Sequence, residues 1–301
     1  MTPPPFIDGP SQPDAALPAS AASRLDKART AAVYSAAADH FDDPPLAFWA
    51  RVGERTIGRV PLQPGHRVLD VCCGTGASAI PAARTVGPGG SVLAVDLAAP
   101  LLERGREKAR SLGLSNIDFR CADFEALDAP PAHFDAIVCV FGIFFLADMP
   151  AAVRRLWRWL KPGGSLAITT WGPEVLEPGN SAFWNAIRAH RPELYKSFRP
   201  WERIDSPFAL RAMLAEAGIS PHTVDVDTSA QPLRAPEDWW TIALGSGYRG
   251  TIDQLDPLTR DAVKSHTLTS LRAQGALTAQ TNAIYAVATK AASERPRVQS
   301  P

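Results

Sequence analysis

Three acidic side chains and a pair of glycines stand at spacings that suit a nucleoside ligand. The run Val68-Leu69-Asp70-Val71-Cys72-Cys73-Gly74-Thr75-Gly76-Ala77-Ser78-Ala79 reads as a buried strand entering a Gly-x-Gly turn that opens a helix. Glycines let the backbone turn sharply and let a ligand come close. Gly74 to Ala79 also fits the G-x-G-x-x-A dinucleotide fingerprint, a weak signal taken alone. Asp70 separates the alternatives, because a carboxylate just before the loop sits poorly beside a pyrophosphate and suits a ligand with a positive amine or sulfonium. Its plain structural role would be to cap loop N–H groups, and the two roles are compatible.

Asp96 follows twenty residues after Gly76, at the end of a second strand, where an acid accepts both ribose hydroxyls of an adenosine. Asp123 and Phe124 end the third strand; a carboxylate accepts from an exocyclic adenine amine and an aromatic ring covers the base. For both acids the alternative is an N-cap on the following helix. The fourth strand leads into Phe141-Gly142-Ile143-Phe144-Phe145, candidates to line the sulfonium and methyl acceptor, or else core.

These residues need a scaffold that brings strand ends together. Apolar or β-branched runs at 67–72, 91–96, 116–121, 134–140 and 164–170 alternate with helical patterns, including 100–112 and 149–160. That alternation predicts an α/β fold with a parallel sheet and helices on both faces. Two more strands are expected near 222–228 and 282–289, and an amphipathic helix over 45–60. The stretches 172–220 and 230–281 are too long for connections and are expected to form a substrate cap with the segment before the first strand. Their aromatics, Phe183, Trp184, Trp201, Trp239, Trp240 and Tyr248, motivate that lid. Gly245-Ser246-Gly247-Tyr248-Arg249-Gly250 reads as a tight loop, either a turn or an acceptor clamp. Residues 1–26 and 291–301, rich in Pro, Ala and Ser or lacking periodicity, are expected to be flexible tails around one domain at 27–290.

The run Val68–Ala79, Asp96, Asp123-Phe124 and Trp159-Leu160-Lys161-Pro162-Gly163-Gly164 resembles the class I S-adenosylmethionine (SAM)-dependent methyltransferases, in particular the ubiquinone/menaquinone-biosynthesis C-methyltransferase-like group. The resemblance covers about residues 30–172. It implies a Rossmann-like seven-stranded sheet with its last strand antiparallel, and SAM as cofactor. It places Gly74, Thr75 and Gly76 at the methionine part of SAM, Asp70 near its amino group and Asp96 on the ribose. It also places Leu97 on adenine, Asp123 and Phe124 at the adenine edge, and Tyr34 in a helix that closes over the cofactor. The insertion of about fifty residues between the last two strands departs from the quinone enzymes, which puts a quinone substrate in doubt.

Composition narrows the partners. Lys plus Arg equals Asp plus Glu at 31 each, which gives no sign of a nucleic-acid or anionic-membrane partner. The basic face of Arg104, Arg106, Lys108 and Arg110 reads as a solvated helix. Cys72, Cys73, Cys121 and Cys139 lie in or beside strands without metal-ligand spacing, so they read as small core residues in a reducing compartment, and no metal is expected. The N-terminal residues lack a signal-peptide pattern, and the longest apolar run, 136–147, is too short to span a bilayer. A cytoplasmic enzyme is expected, acting on a small, hydrophobic or aromatic metabolite by C- or O-methylation; a homodimer stays open. Of six histidines, only His40 falls in a segment expected over the site, and it is the one candidate base. The alternatives are a nicotinamide-dependent oxidoreductase and a non-catalytic SAM-fold interaction module.

Overall fold

The computed structural model describes residues 19–292. Its main sheet has seven strands in the order β3-β2-β1-β4-β5-β9-β6. They are β1 (Arg67–Val71), β2 (Ser91–Asp96), β3 (Ile117–Cys121), β4 (Phe134–Val140), β5 (Leu160–Trp171), β6 (Thr223–Asp227) and β9 (Ala283–Thr289). The first five are mutually parallel, with Val68 opposite both Val92 and Ala136. β9 runs antiparallel to both β5 and β6. The seven-stranded sheet and the reversed last strand are as expected. A short β7 (Ala230–Pro232) pairs with β8 (Thr278–Gln280), a ribbon the sequence pattern did not announce.

Strand alternation divides the core between the sheet faces. Val68, Val92, Ala94, Ala136 and Val138 face one side. There they meet α3 (Ala79–Val86) through Ala79, Ala82, Ala83 and Val86, and α4 (Ala99–Ser111) through Leu102 and Ala109. Leu69, Val71, Val95, Ile137 and Cys139 face the other side, toward α5 (Met149–Trp159) and the inserted helices. Strands buried on both faces have near-continuous apolar runs, which is why periodicity located them.

The chain moves outward from β1 through β2 to β3, then returns to place β4 on the opposite flank of β1. That reversal is the topological switch point, where the loops after β1 and β4 diverge and leave a crevice at the strand carboxyl ends. Before the sheet come α1 (Ala19–Ala37) and α2 (Phe48–Ile57), with a 3-10 turn at Pro44–Leu46. The helix expected over 45–60 is therefore shorter, and Pro44 and Pro45 begin it as a turn instead. α1 starts within the expected tail: 19–26 are helical, while 1–18 and 293–301 lie outside the described residues.

The two long stretches are helical, as expected. The first carries α6 (Gly179–His190) and α7 (Pro207–Glu216); the second carries α8 (Pro236–Leu244), α9 (Arg249–Ile252) and α10 (Pro257–Ala273). Their aromatics pack on each other. Phe183 meets Trp184, Trp239, Trp240 and Tyr248 at ring distances of 5.1 to 6.3 Å. Trp239 sits against Gly179, where a Cβ would fall 1.9 Å from the indole nitrogen. Phe183, Trp184, Trp239, Trp240 and Tyr248 thus form a second core, and the expectation that they face a substrate is corrected for all five.

Candidate active site

A cavity of about 1170 Å3, counted out to its open mouth, occupies the crevice at the ends of β1, β2, β4 and β5. Its floor is the loop after β1. Here Cys72, Gly74 and Gly76 adopt φ of 58°, 53° and 87°. The two glycines take this left-handed backbone freely, whereas Cys72 is strained there. Phe141, the first residue after β4, has the same conformation, with φ of 54°. The two strained residues are accommodated by Gly142, where a Cβ would lie 2.4 Å from that of Cys72. Strain in adjacent loops at a switch point marks a functional crevice.

Asp96 lines the cavity and organises its floor. Its carboxylate accepts the Gly74 N–H on Oδ2 and the Ala98 N–H on Oδ1, each at 2.9 Å. Each carboxylate oxygen has a second acceptor site, so the group retains capacity for a ligand diol. Burial raises its pKa, opposed by the N–H groups of Ala98, Gly74 and Leu97. Asp123 also lines the cavity and, through Oδ1, accepts the Glu125 N–H at 2.9 Å, capping a short 3-10 turn. Lys27 of α1 donates to its other oxygen at 2.6 Å and also pairs with Glu125. For both acids the structural and the ligand-facing roles coexist.

α1 presents Lys27, Thr30, Ala31 and Tyr34 to the cavity, an i, i+3, i+4, i+7 stripe along one helix face. Tyr34 meets Phe41 and Phe145 edge-on at 6.4 and 5.7 Å. Burial, with the charge of Asp96 next, raises the Tyr34 hydroxyl far above its usual value, so it stays protonated. The opposite wall is aromatic: Phe141 stacks on Trp171 at 3.9 Å, and Phe41 stacks on Trp49 at 5.2 Å. Phe124, Phe144, Phe145 and Trp201 complete it, with Leu97 and Leu101 beside Asp96.

Among the expected residues, Tyr34, Gly74, Asp96, Leu97, Asp123, Phe124 and Phe141 come together around this cavity. Asp70, Thr75, Gly76 and His40 are not on its lining. Asp70 is fully buried behind the loop, where Ser78 Oγ donates to Oδ2 at 2.7 Å and Oδ1 has no partner. Burial pushes its carboxyl up to about 7, with the charge of Asp96 adding to the rise; the Ser78 and Ala79 bonds oppose it. Thr75 turns away and donates to Asp42 at 2.8 Å, while Lys108 bonds both. Gly76 backs onto the Phe119 ring. His40 lies off the lining and pairs with Asp43 at 2.8 Å, so the cavity as formed does not present it as a base.

Several other expectations change. Trp201 is the one aromatic of the six that reaches the cavity. The Gly245–Gly250 loop is a docking turn, with Gly245 against the His40 carbonyl and Gly250 against Val33. Tyr248 donates to Asn180 at 2.8 Å instead of holding an acceptor. The basic face of α4 tethers neighbours: Lys108 holds Asp42 and Thr75, and Arg106 donates to the Phe119 carbonyl at 2.6 Å. Cys72 and the buried Cys73 line the cavity, Cys121 is exposed on edge strand β3, and Cys139 is core. Trp49 and Trp171 were missed. Trp171 ends a parallel strand, a position the switch-point rule singles out; Trp49 was read only as one apolar position of its helix.

Comparison with known proteins agrees with this geometry. Residues 68–164, from β1 into β5, match the family model described as a methyltransferase domain. A ubiquinone/menaquinone biosynthesis C-methyltransferase of Pasteurella multocida is 38% identical over 130 residues, 42% of this chain and 48% of that protein. The chain spans about half the length of the first curated relatives it matches. Nocamycin O-methyltransferase of Saccharothrix syringae is 29% identical over 263 residues, 81% of this chain and 91% of that protein. The crystal structure of the YcgJ protein of Bacillus subtilis has the same fold, with a TM-score of 0.53, 18% identity, and coverage of 80% of this chain and 98% of that one. The segment that forms the glycine loop and the acid-tipped strands, residues 68–164, is the segment that matches the methyltransferase-domain model.

Proposed function

We propose that this chain transfers the methyl group of SAM to a small apolar or aromatic metabolite, at carbon or oxygen. The observation that carries the proposal is a single cavity with two unlike walls. One wall holds Gly74, Asp96 and Asp123 at the ends of β1, β2 and β3; the other is aromatic, with Phe141, Trp171, Trp49 and Phe41. The relative matched across most of both chains, named an O-methyltransferase, supports oxygen as one acceptor atom.

The residues present suit the cofactor. Asp96 has acceptor capacity left for a ribose diol, and Gly74 lets the loop approach without a Cβ. The acid of Asp70 beneath the loop offers a negative charge to an amino group. Leu97, Phe124 and Asp123 would hold the adenine. SAM supplies an activated methyl group on a sulfonium. The work left to the chain is to align the acceptor and keep water out, which can supply roughly 7–11 kcal/mol of barrier lowering. The stripe of α1 covers the cavity, and the stacked rings leave an apolar space for a flat acceptor.

The cavity lining includes neither histidine nor glutamate. Asp96 and Asp123 are bound to backbone N–H groups. The thiols of Cys72 and Cys73 are pushed well above their ordinary value, Cys72 foremost by its bond to Cys139 and Cys73 by burial. The lining thus offers no free base for an unactivated hydroxyl. Acceptors that ionise by themselves, such as phenols and enols, fit best. Calorimetric titration with SAM and with NADH, followed by incubation with labelled SAM and a panel of phenols and enols, tests the proposal. It fails if SAM gives no binding heat, or if label is transferred only to amines or macromolecules.

A further inference from the structure

Phe144, Phe145 and Leu146, in the loop after β4, line the main cavity and also a second, outer chamber beside it, so they form a partition between the two. The loop leaves β4 through Phe141, whose left-handed backbone is strained. It then makes a single 3-10 turn, Ile143–Phe145, in which the Leu146 N–H reaches the Ile143 carbonyl. A turn this short leaves carbonyls without partners of its own. Arg203, which lines the outer chamber, supplies them. Its Nη2 donates to the carbonyls of Phe144 and Leu146, the latter at 2.8 Å, and its Nη1 to that of Ala147 at 3.3 Å. Arg203 is itself held, because it ends a 3-10 turn, Pro200–Arg203, whose Glu202 accepts from the Arg199 N–H at 3.0 Å and from its guanidinium at 2.8 Å. Trp201 of that turn lines the main cavity and meets Phe144 edge-on at 6.2 Å.

A guanidinium carries its donors in a rigid planar fork, so one side chain can fix several carbonyls at once, and its charge strengthens each bond. We infer that Arg203 is a positioning residue for the methyl acceptor: from the outer side it holds the partition in place, and Phe144 and Phe145 thereby limit the space an acceptor can fill in the aromatic cavity. The inference rests on the methyltransferase reading and adds a determinant of acceptor specificity. The cofactor side stands apart from it. Gly74 and Asp96 are bound to each other, and Asp123 to Glu125 and Lys27, without Arg203 among their partners. Loosening the partition should therefore change what the acceptor space accepts and leave cofactor binding as it was.

The test uses the full chain and the variant Arg203→Met, which keeps an apolar stem and removes the fork. Hydrogen exchange read by mass spectrometry should quicken across 143–147 and stay unchanged across 68–80 and 91–98. With S-adenosylhomocysteine saturating, the neutral aromatic probe N-phenyl-1-naphthylamine should bind about tenfold more weakly to the variant, while S-adenosylhomocysteine affinity is unchanged. Arg203→Lys keeps the charge without the fork and should fall between the two. In a Phe145→Ala background, Arg203→Met should have no further effect on the probe. Arg154→Met removes another arginine bound to a carbonyl, that of Glu216 at 3.1 Å, away from both linings, and should alter neither reading. Unchanged exchange across 143–147, unchanged probe affinity, an equal loss of S-adenosylhomocysteine binding, additivity with Phe145→Ala, or the same effects from Arg154→Met overturns the proposal. Absence of S-adenosylhomocysteine binding in the unaltered chain overturns the cofactor reading instead, and exchange and probe binding on the free chain still decide the role of Arg203.

Discussion

Replacing Asp70 by asparagine measures the cost of keeping a carboxylate beneath the glycine loop. Its carboxyl moves from an ordinary 3.8 to about 7, first through burial. At about 1.4 kcal/mol per pH unit, the folded chain binds that proton more tightly than the unfolded chain by roughly 4 kcal/mol. The folded state holds the extra proton between pH 4 and 7, so this group's stabilising effect is complete below pH 4. It is lost as pH rises to 7, and its effect is flat above that. Asparagine does not titrate, so the stability of the original chain relative to the variant should fall by about 4 kcal/mol from pH 4 to pH 8. The amide also brings a donor to the place where Oδ1 has no partner, a penalty of about 1–3 kcal/mol. The variant should therefore be more stable at pH 8, by about 2 kcal/mol, and less stable at pH 4. Urea unfolding of both proteins across that range reads the difference directly. SAM brings an ammonium toward Asp70 and should expel its proton, so calorimetry near pH 6 in buffers of different ionisation heat should detect proton release in the original chain only. A stability difference independent of pH, or equal proton release by both proteins, would refute the placement of this charge.

Asp96→Asn removes a charge that supports two N–H groups and the ligand diol; SAM affinity should fall ten- to a hundredfold, about 1.5–3 kcal/mol, by calorimetry. Gly142→Ala drives a Cβ to 2.4 Å from that of Cys72 and should cost about 1–3 kcal/mol. Cys72→Gly in the same chain should recover most of that loss, because it removes both the clash and the left-handed strain; urea midpoints over the four-member cycle measure the coupling. Lys27→Ala detaches α1 from Asp123 and Glu125. It should raise the SAM dissociation constant several-fold and increase proteolysis within 19–37, with the unfolding midpoint of the sheet unchanged.

The strands, the glycine loop and the acids at strand ends were legible because each is a local pattern. An apolar run bounded by Gly and Asp can be read without knowing what packs on it. Asp96 was recognisable from its distance past Gly76, and the stripe of α1 follows from helical spacing once the helix is known. The aromatics of the insertions were misjudged because a tryptophan on a helix carries no mark of its partner. Phe183 of α6 meets Trp239 of α8, a contact fixed by tertiary packing. His40 and Thr75 fell in the right segments with side chains facing away, toward Asp43 and Asp42. A single residue's direction within an irregular turn depends on partners remote in sequence, such as Lys108.

The small ribbon of β7 and β8 has a consequence for how the molecule could be altered. Leu233 N–H donates to the Leu277 carbonyl at 2.9 Å, just beyond the paired strands, so the stretch between them departs and returns at one doorway. A segment whose ends are already clasped places little tension on the sheet that bears it. It behaves as an exchangeable cassette, and grafting a differently shaped one at the same clasp would replace the helical layer packed on α6 and α1 while leaving the nucleoside-binding floor untouched.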